Sequence, residues 1–551
     1  MRSRDKERVL GELRSRVVDE VMRAPAGKLE EVLLDSVYHE MRRLKDDRHR
    51  DPEDVAFWSR IKSELRSASE RGQLDLLRRV SDRYGNEICG QFDERVYDAV
   101  TRAGEPLMGL VLNAVSPKKI FAAVGRRTLG NDGPRMPSLD RAIVLQGDID
   151  QLKHIRERGT VILVPTHVSH MDSVAVGWAL WKLGLPPFLY GAGLNLFSNP
   201  LLGFFLRNLG AYTVDRRKND PLYKRALKEY ATLTLENGYD NIFFPGGTRS
   251  RSGAVEKKLK LGLLGTGVSA YVNNLLAKKS KERVYIVPAT LSFSLVLEAE
   301  TLVDDFLKEV GKSRYIITDD EFSRPRRVYD FLTQLLSLDS KIYFTIGRAI
   351  DPFGNAVDDE GESLDPRGRR IDPADFVTVD GVPVHDEQRD AEYTREVGER
   401  LTEAYARDTV IQSTHITAHA ALTLLRKANT GIDLVRLLRG SGRVDDVELR
   451  LVYAEARRLL EEVRGLSKRG GVRLAPIVAS GSAEDIIADG LRHFAIYHGK
   501  PAVERRGDRV TSGDRALLFY YSNRLEGYRL ERTAALKPPL TPDHRSLGRG
   551  A

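Results

Sequence analysis

The fold is constrained most by an alternation of short β-branched runs with helical patterns between residues 140 and 350. The runs with the length and composition of strands are 142–145, 160–164, 187–190, 211–214, 241–244, 284–288 and 341–346. Helical patterns lie between several of them, at 172–183, 222–237, 257–272 and 327–336. Such alternation predicts an α/β fold with a mostly parallel sheet flanked by helices. Sites in these sheets form at the carboxyl ends of strands.

Both ends of the chain have helical patterns instead, and a length of 551 residues favours two or three domains. We expect a helical N-terminal domain over 1–130, an α/β domain over 131–427, and a helical C-terminal region over 428–551. Within the α/β domain, residues 351–391 are polar, acidic and rich in Gly and Pro, which predicts a surface insertion. The composition beyond Lys537 predicts a disordered tail.

Composition narrows the function class. A net charge of +8 favours an anionic partner, such as nucleic acid, a phospholipid surface or a phosphorylated substrate. The basic residues alternate with acidic ones and form no recognised module, which argues against nucleic acid. The single cysteine, Cys89, excludes an intrachain disulfide and a zinc site built mainly from cysteines.

Membrane-spanning and secretory segments are not expected. The N-terminus has no apolar core of a secretory signal. Residues 183–206 carry no charge, but prolines and glycines interrupt them throughout. A spanning helix needs about 20 mostly apolar residues with a regular backbone. We therefore expect this stretch to be buried or to rest on a membrane surface.

Polar groups able to do chemistry follow the strand predicted at 160–164. His167 and Asp172 have the spacing H-x4-D at the start of the next helical pattern. This spacing lets the carboxylate bond one ring nitrogen and leaves the other as a general base. Two alternatives are a helix cap beside a surface histidine, and a metal site that also uses His170.

Three later stretches share a pattern in which a predicted strand contains or is followed by arginine, glycine or proline. Arg216 ends the first, and the second, residues 243–253, combines glycines with Arg249 and Arg251. Glycines let backbone N–H groups approach an anion, and one arginine can bind phosphate oxygens through two N–H groups at once. The third is the apolar run 284–290, which contains Pro288. Together they predict transfer to a hydroxyl of a phosphorylated substrate, whereas each arginine alone could equally form a surface salt bridge.

The four stretches in this order resemble the conserved blocks of the glycerolipid acyltransferases. The blocks are H-x4-D, G-A-Y-x-V-D-R, F-P-x-G-T-R-S-R-S-G and V-x-I-V-P. The sequence His-Val-Ser-His-Met-Asp and residues 192–197 and 206–212 are similar to the glycerol-3-phosphate and dihydroxyacetone-phosphate acyltransferase branch. The resemblance covers roughly residues 140–430.

The resemblance implies a role for each matching position. His167 would deprotonate the acceptor hydroxyl, which attacks an acyl thioester, and Asp172 would orient His167. The remaining positions would bind the substrate, chiefly through the acceptor phosphate: Arg216, Gly247, Thr248, Arg249, Ser250, Arg251 and Lys260. It implies no metal and no redox cofactor.

The chain also departs from the family pattern. Gly246 stands where a glutamate is expected, Val168 where an arginine is frequent, and Phe293-Ser294 where a Tyr-Glu pair is expected. These departures put the acceptor in question. Lysophosphatidate is the alternative acceptor, and a non-catalytic lipid-binding protein is the alternative class.

The resemblance therefore implies a glycerol-3-phosphate O-acyltransferase-like enzyme of phospholipid synthesis. The expected partners are acyl-CoA or acyl-carrier protein, a phosphorylated glycerol acceptor and an anionic membrane surface. The expected location is peripheral, on the cytoplasmic side of the cell membrane.

Overall fold

The structure is a computed structural model that describes residues 3–23, 28–46, 51–102, 139–194, 200–310 and 340–530. The helix predicted at 327–336 and the tail beyond Lys537 lie outside these residues.

The N-terminal part of the described chain is helical, as predicted. Its helices are α1 (Ser3–Met22), α2 (Lys28–Asp46), α3 (Pro52–Leu65), α4 (Glu70–Ile88) and α5 (Glu94–Arg102). The Asp51 side chain caps the start of α3 by accepting a hydrogen bond from the backbone N–H of Glu53. The proline at the first helical position has no N–H that would need a partner. The helices bury one apolar face that includes Leu13 and Trp58.

A seven-stranded sheet forms the centre of the α/β part. Its strands are β1 (Ile143–Gly147), β2 (Gly159–Pro165), β3 (Leu189–Gly193), β4 (Ala211–Val214), β5 (Asn241–Ile242), β6 (Arg283–Phe293) and β7 (Ile342–Ile346). The order is β1-β7-β6-β2-β5-β3-β4, and every neighbouring pair is parallel except β6 with β7. The predicted fold class and its seven strands are confirmed.

Helices cover the sheet, and β2 lies at its centre. These helices are α6 (Leu139–Ala142), α7 (Ile149–Arg158), α8 (Met171–Lys182), α9 (Pro200–Asn208), α10 (Pro221–Glu236), α11 (Thr266–Leu276) and α12 (Ala299–Val310). All of β2 is buried, and its alternate side chains enter two different apolar clusters, Val161 with Leu163 and Ile162 with Val164. A strand covered on both faces reads as a continuous apolar run.

The helix predicted at 257–272 is wrong in its first half, because α11 begins only at Thr266. Residues 251–265 form turns and irregular backbone instead. The backbone N–H of Lys260 donates to the carbonyl of Pro245, at 2.7 Å, so this donor serves the strand-end loop and not a helix. The loop is thereby held against the carboxyl end of β5.

Residues 351–391 contain short paired strands and a 3-10 helix. The strands are β8 (Ala356–Val357), β9 (Ser363–Leu364), β10 (Arg370–Ile371), β11 (Thr378–Val379) and β12 (Val382–Pro383), and the 3-10 helix is Pro373–Phe376. Phe353, Val357 and Val377 are buried in the apolar clusters, so this segment also contributes to the core.

The remaining described chain is mainly helical. The helices are α13 (Glu387–Asp408), α14 (Ser413–Ala428), α15 (Leu434–Leu438), α16 (Leu449–Lys468), α17 (Pro476–Ser480), α18 (Ala483–Phe494) and α19 (Arg515–Ser522), followed by the 3-10 helix Asn523–Tyr528. The strands are β13 (Val410–Ile411), β14 (Asp446–Glu448), β15 (Arg473–Leu474), β16 (Glu504–Arg506) and β17 (Arg509–Thr511). Across the described ranges, no helix is both long enough and apolar enough to cross a membrane.

Candidate active site

The loop after β2 is held by one buried carboxylate. Oδ2 of Asp172, in the first turn of α8, accepts the backbone N–H groups of Val168 and Ser169 at 2.6 and 2.9 Å. The same oxygen lies 2.8 Å from Nδ1 of His167. Three donors converging on one oxygen fix both the loop and the imidazole.

Asp172 and His167 differ in their exposure. The side chain of Asp172 is fully buried, and that of His167 is 15% exposed. Burial raises the pKa of the Asp172 carboxyl, and its hydrogen bonds with His167 and the loop amides oppose that shift. The contact with Asp172 favours a proton on Nδ1 of His167, which leaves the lone pair of Nε2 available as a base.

The third sequence block touches His167 directly. The ring of Phe244 stacks on the imidazole, with centroids 4.4 Å apart. The backbone N–H of Ser250 donates to the carbonyl of His167 at 2.8 Å, and Glu256 Oε1 accepts the N–H of His167 at 2.5 Å. Residues of the third block and its following loop therefore fix the ring and both backbone polar groups of His167.

Lys260 lies over the glycine turn that follows β5. Gly247 has φ of +71°, a left-handed conformation that favours glycine. A Cβ at this position would lie 2.6 Å from Cδ of Lys260, so the lysine side chain crosses the turn closely. The structure thus brings Lys260 and Gly247 together, as expected for an anion subsite.

Two of the predicted arginines are near each other. Arg216 follows β4, and the pKa of its guanidinium is lowered by desolvation and by the positive charge of Arg249. Arg249 Nη1 donates to Glu298 Oε1 at 2.8 Å. Arg216 and Arg249 are thus two neighbouring positive charges, and the carboxylate of Glu298 pairs with Arg249. This arrangement favours binding of an anion between the two guanidinium groups.

The other predicted binding residues are placed differently. Arg251 forms an ion pair at 2.8 Å with Glu309 of α12, with both side chains about 40% exposed. The Ser250 hydroxyl donates to the carbonyl of Ala254, and Thr248 is exposed. The Arg251 contact is the surface salt bridge that was the alternative for single arginines.

Glu298 is a residue that the sequence analysis missed. Its buried carboxylate accepts from the Ser169 hydroxyl at 2.9 Å, from the His170 N–H at 2.6 Å and from Arg249. It therefore ties the loop of the first block to the arginine of the third. The available signal was a lone acid within the apolar run that follows β6, four residues after Ser294.

Glu256 is the second missed residue. Burial raises the pKa of its carboxyl to about 8, and the charge of Asp172 adds to this shift. The backbone N–H groups of His167 and Gly246 and the positive charge of Arg524 oppose it. The two residues that follow it, Lys257 and Lys258, are exposed, so the sequence pattern gives no sign of a buried carboxyl.

The C-terminal region packs against the third block. Gly253 has φ of +78°, and a Cβ there would overlap the carbonyl oxygen of Tyr520. The Asn523 amide donates to the carbonyl of Ser252 at 2.8 Å. Residues 520–523 thus lie next to the candidate site. In the part of the chain that the structure describes, no group of three or more His, Cys, Asp or Glu residues could hold a metal ion.

The part of the chain that carries most of this site matches a known protein family. Residues 148–292 match the family model described as Acyltransferase. The chain is 30% identical over 202 residues to glycerol-3-phosphate acyltransferase of Pseudomonas putida (strain W619), covering 34% of this chain and 24% of that protein. It is 31% identical over 203 residues to the enzyme of that name from Pseudomonas entomophila (strain L48), covering 37% and 23%. With the enzyme of that name from Xylella fastidiosa (strain M23), identity is 30% over 176 residues, covering 31% and 19%. The chain thus matches about a quarter or less of the length of these relatives.

Proposed function

We propose that this chain is an O-acyltransferase. The premise is that residues 148–292 belong to the glycerolipid acyltransferase superfamily, in its glycerol-3-phosphate acyltransferase-like branch. The donor is acyl-CoA or acyl-carrier protein, and the acceptor is a hydroxyl of glycerol 3-phosphate. The product enters phospholipid synthesis.

The observation that carries the proposal is the contact between His167 and the buried Asp172 at the end of β2. His167 Nε2 takes the proton of the acceptor hydroxyl as its oxygen attacks the thioester carbonyl. Asp172 holds the imidazole in the required tautomer and stabilises the imidazolium. The new C–O bond forms, the C–S bond breaks, and the departing thiolate takes the proton from His167.

The acceptor phosphate is assigned to the cationic residues near this pair. Desolvation and the positive charge of Arg249 lower the pKa of Arg216, and the side chain of Lys260 crosses the turn at Gly247. Guanidinium groups bind phosphate oxygens through paired N–H groups, and an ammonium adds a point charge. Binding the phosphate there would orient the glycerol hydroxyl towards Nε2 of His167.

The test is transfer of a radiolabelled acyl chain by the purified full chain to a panel of acceptors. Glycerol 3-phosphate is expected to be the best substrate, ahead of dihydroxyacetone phosphate and lysophosphatidate. His167→Ala should lower kcat by at least about 10³-fold, because the general base is gone. The matched control is His154→Ala, an exposed histidine of α7, which should retain wild-type turnover. Unchanged turnover in His167→Ala with folding preserved would refute the mechanism, and preference for lysophosphatidate would reassign the acceptor.

Membrane attachment is proposed as peripheral and on the cytoplasmic side, where soluble acyl thioesters are available. Leu194 and Phe204 lie in the uncharged stretch 183–206 and are 38% and 50% exposed. Burying a leucine or phenylalanine side chain is worth about 1.5–3 kcal/mol.

A liposome sedimentation assay tests this attachment. Leu194→Ser with Phe204→Ser should reduce binding to anionic liposomes by about tenfold or more. The control is Leu276→Ser, since Leu276 is 49% exposed at the end of α11. Equal sedimentation of all three proteins would contradict the assigned surface.

A further inference from the structure

The space beside Gly246 is already filled by another side chain. A Cβ placed on Gly246 would lie 2.5 Å from Oε2 and 2.7 Å from Cδ of Glu256. Protein side chains do not pack at such distances, so a residue with a side chain at 246 would have to displace the Glu256 carboxyl. The chain therefore has a carboxyl next to position 246, although it comes from ten residues further along.

This carboxyl has a contact with the first block. Oε1 of Glu256 accepts the backbone N–H of His167, while Ser250 donates to the carbonyl of the same residue. Oε2 is buried and has no hydrogen-bond partner among the described residues. The proposed mechanism gives Glu256 no step, so its contact with His167 needs a separate explanation.

We propose that Glu256 is a positioning residue that replaces the glutamate missing at Gly246 and holds the backbone of the His167 loop in its reactive geometry. The effect of Glu256 on catalysis rests on the proposed function, but its effect on the backbone of the His167 loop does not. The residue touches no reacting atom in this assignment and acts through His167.

The kinetic test uses full-length variants. Glu256→Ala should lower kcat by about ten- to a hundredfold, because small misplacements of a catalytic group cost up to about 10² in rate. The KM for the acceptor should stay within about threefold of wild type. Glu256→Gln should retain at least about a third of kcat at pH 7, since an amide oxygen can still accept the His167 N–H.

Moving the carboxyl back gives a sharper test. The double variant Gly246→Glu with Glu256→Ala should recover at least half of the logarithmic loss of Glu256→Ala. Gly246→Glu alone should be impaired, because two carboxyls compete for one space. The control Glu399→Ala, an exposed glutamate of α13, should match wild type.

Hydrogen exchange provides a readout that does not depend on activity. Glu256→Ala should speed amide exchange in the peptide that contains His167, and the double variant should restore protection. Wild-type kcat or wild-type exchange in Glu256→Ala overturns the proposal, as does an equal loss in Glu256→Ala and Glu256→Gln. If the wild-type chain acylates no acceptor, the proposed function fails, and the exchange data still decide whether Glu256 positions the loop.

Discussion

Replacing Glu256 by glutamine should change how the stability of the protein depends on pH. Burial raises the pKa of this carboxyl from 4.5 to about 8. Asp172 raises it further, and Arg524 acts in the opposite direction. Burial and the charge of Glu256 in turn raise the pKa of the Tyr405 hydroxyl, which donates to the carbonyl of Val164. Between the two pKa values of Glu256 the folded protein keeps a proton that the unfolded chain releases.

The sign of the effect follows from this difference in proton binding. Since the folded pKa is the higher one, the contribution of Glu256 to the free energy of unfolding is complete below pH 4.5 and is lost as pH rises through 8. At about 1.36 kcal/mol per pH unit, the interval corresponds to a loss of up to about 5 kcal/mol. Glutamine cannot ionise, so the variant should not lose this amount.

Urea unfolding of the full chain between about pH 5 and pH 9 measures the effect. The free energy of unfolding of Glu256→Gln relative to wild type should rise by several kcal/mol across this range. Glu399→Gln, at an exposed site, should follow the wild-type curve. If Glu256→Gln and wild type lose stability in parallel from pH 5 to pH 9, then Glu256 is ionised throughout and the burial argument is wrong.

Three further predictions test other parts of the site. Asp172→Asn should lower kcat by on the order of 10³ or more and destabilise the fold by about 1–3 kcal/mol, because a neutral amide accepts the converging hydrogen bonds more weakly than a carboxylate. An unchanged kcat or an unchanged urea midpoint would contradict this prediction. Arg216→Ala should raise the KM for the acceptor by about tenfold, whereas Arg251→Ala should stay within about threefold because its guanidinium is held in a surface ion pair; steady-state kinetics showing the reverse order would reassign the phosphate subsite. Gly253→Ala should cost more than about 2 kcal/mol of stability by urea unfolding, because its φ is positive and a Cβ would overlap the Tyr520 carbonyl; a wild-type midpoint would mean that the contact relaxes freely.

The parts of the fold that the sequence predicts are those with local causes. The central strand β2 follows from a β-branched run that is buried on both faces of the sheet, and α8 follows from its apolar pattern after Asp172. The helix predicted from residue 257 fails because a long-range contact, between the Lys260 N–H and the Pro245 carbonyl, determines the backbone there. Helical spacing in the sequence carries no information about that contact.

The candidate site divides in the same way. The contact of His167 with Asp172 lies within one loop and one helical turn, so residue spacing was enough to predict it. The partner of Arg251 is on a separate helix, and Arg216 and Arg249, whose charges influence each other, follow different strands. Only the folded chain distinguishes which arginine faces the site and which one pairs on the surface.

The two missed carboxylates bear on whether this chain is an enzyme. The case for a non-catalytic relative began with the acid absent at Gly246, and a second expected acid is absent at Ser294. Glu256 fills the space beside Gly246, and Glu298, four residues beyond Ser294, bonds Ser169 and His170. Both carboxylates accept N–H groups from the loop that carries His167, which is the loop that a catalytic chain must hold in place. A sequence motif alone is therefore a poor guide to the carboxyls of this site. A carboxyl can be absent from the motif, while a residue elsewhere in the sequence supplies one at the same place in the folded protein. The departures at Gly246 and Ser294 therefore lend less support to the non-catalytic alternative, because a buried acid near each of them contacts the loop that carries His167.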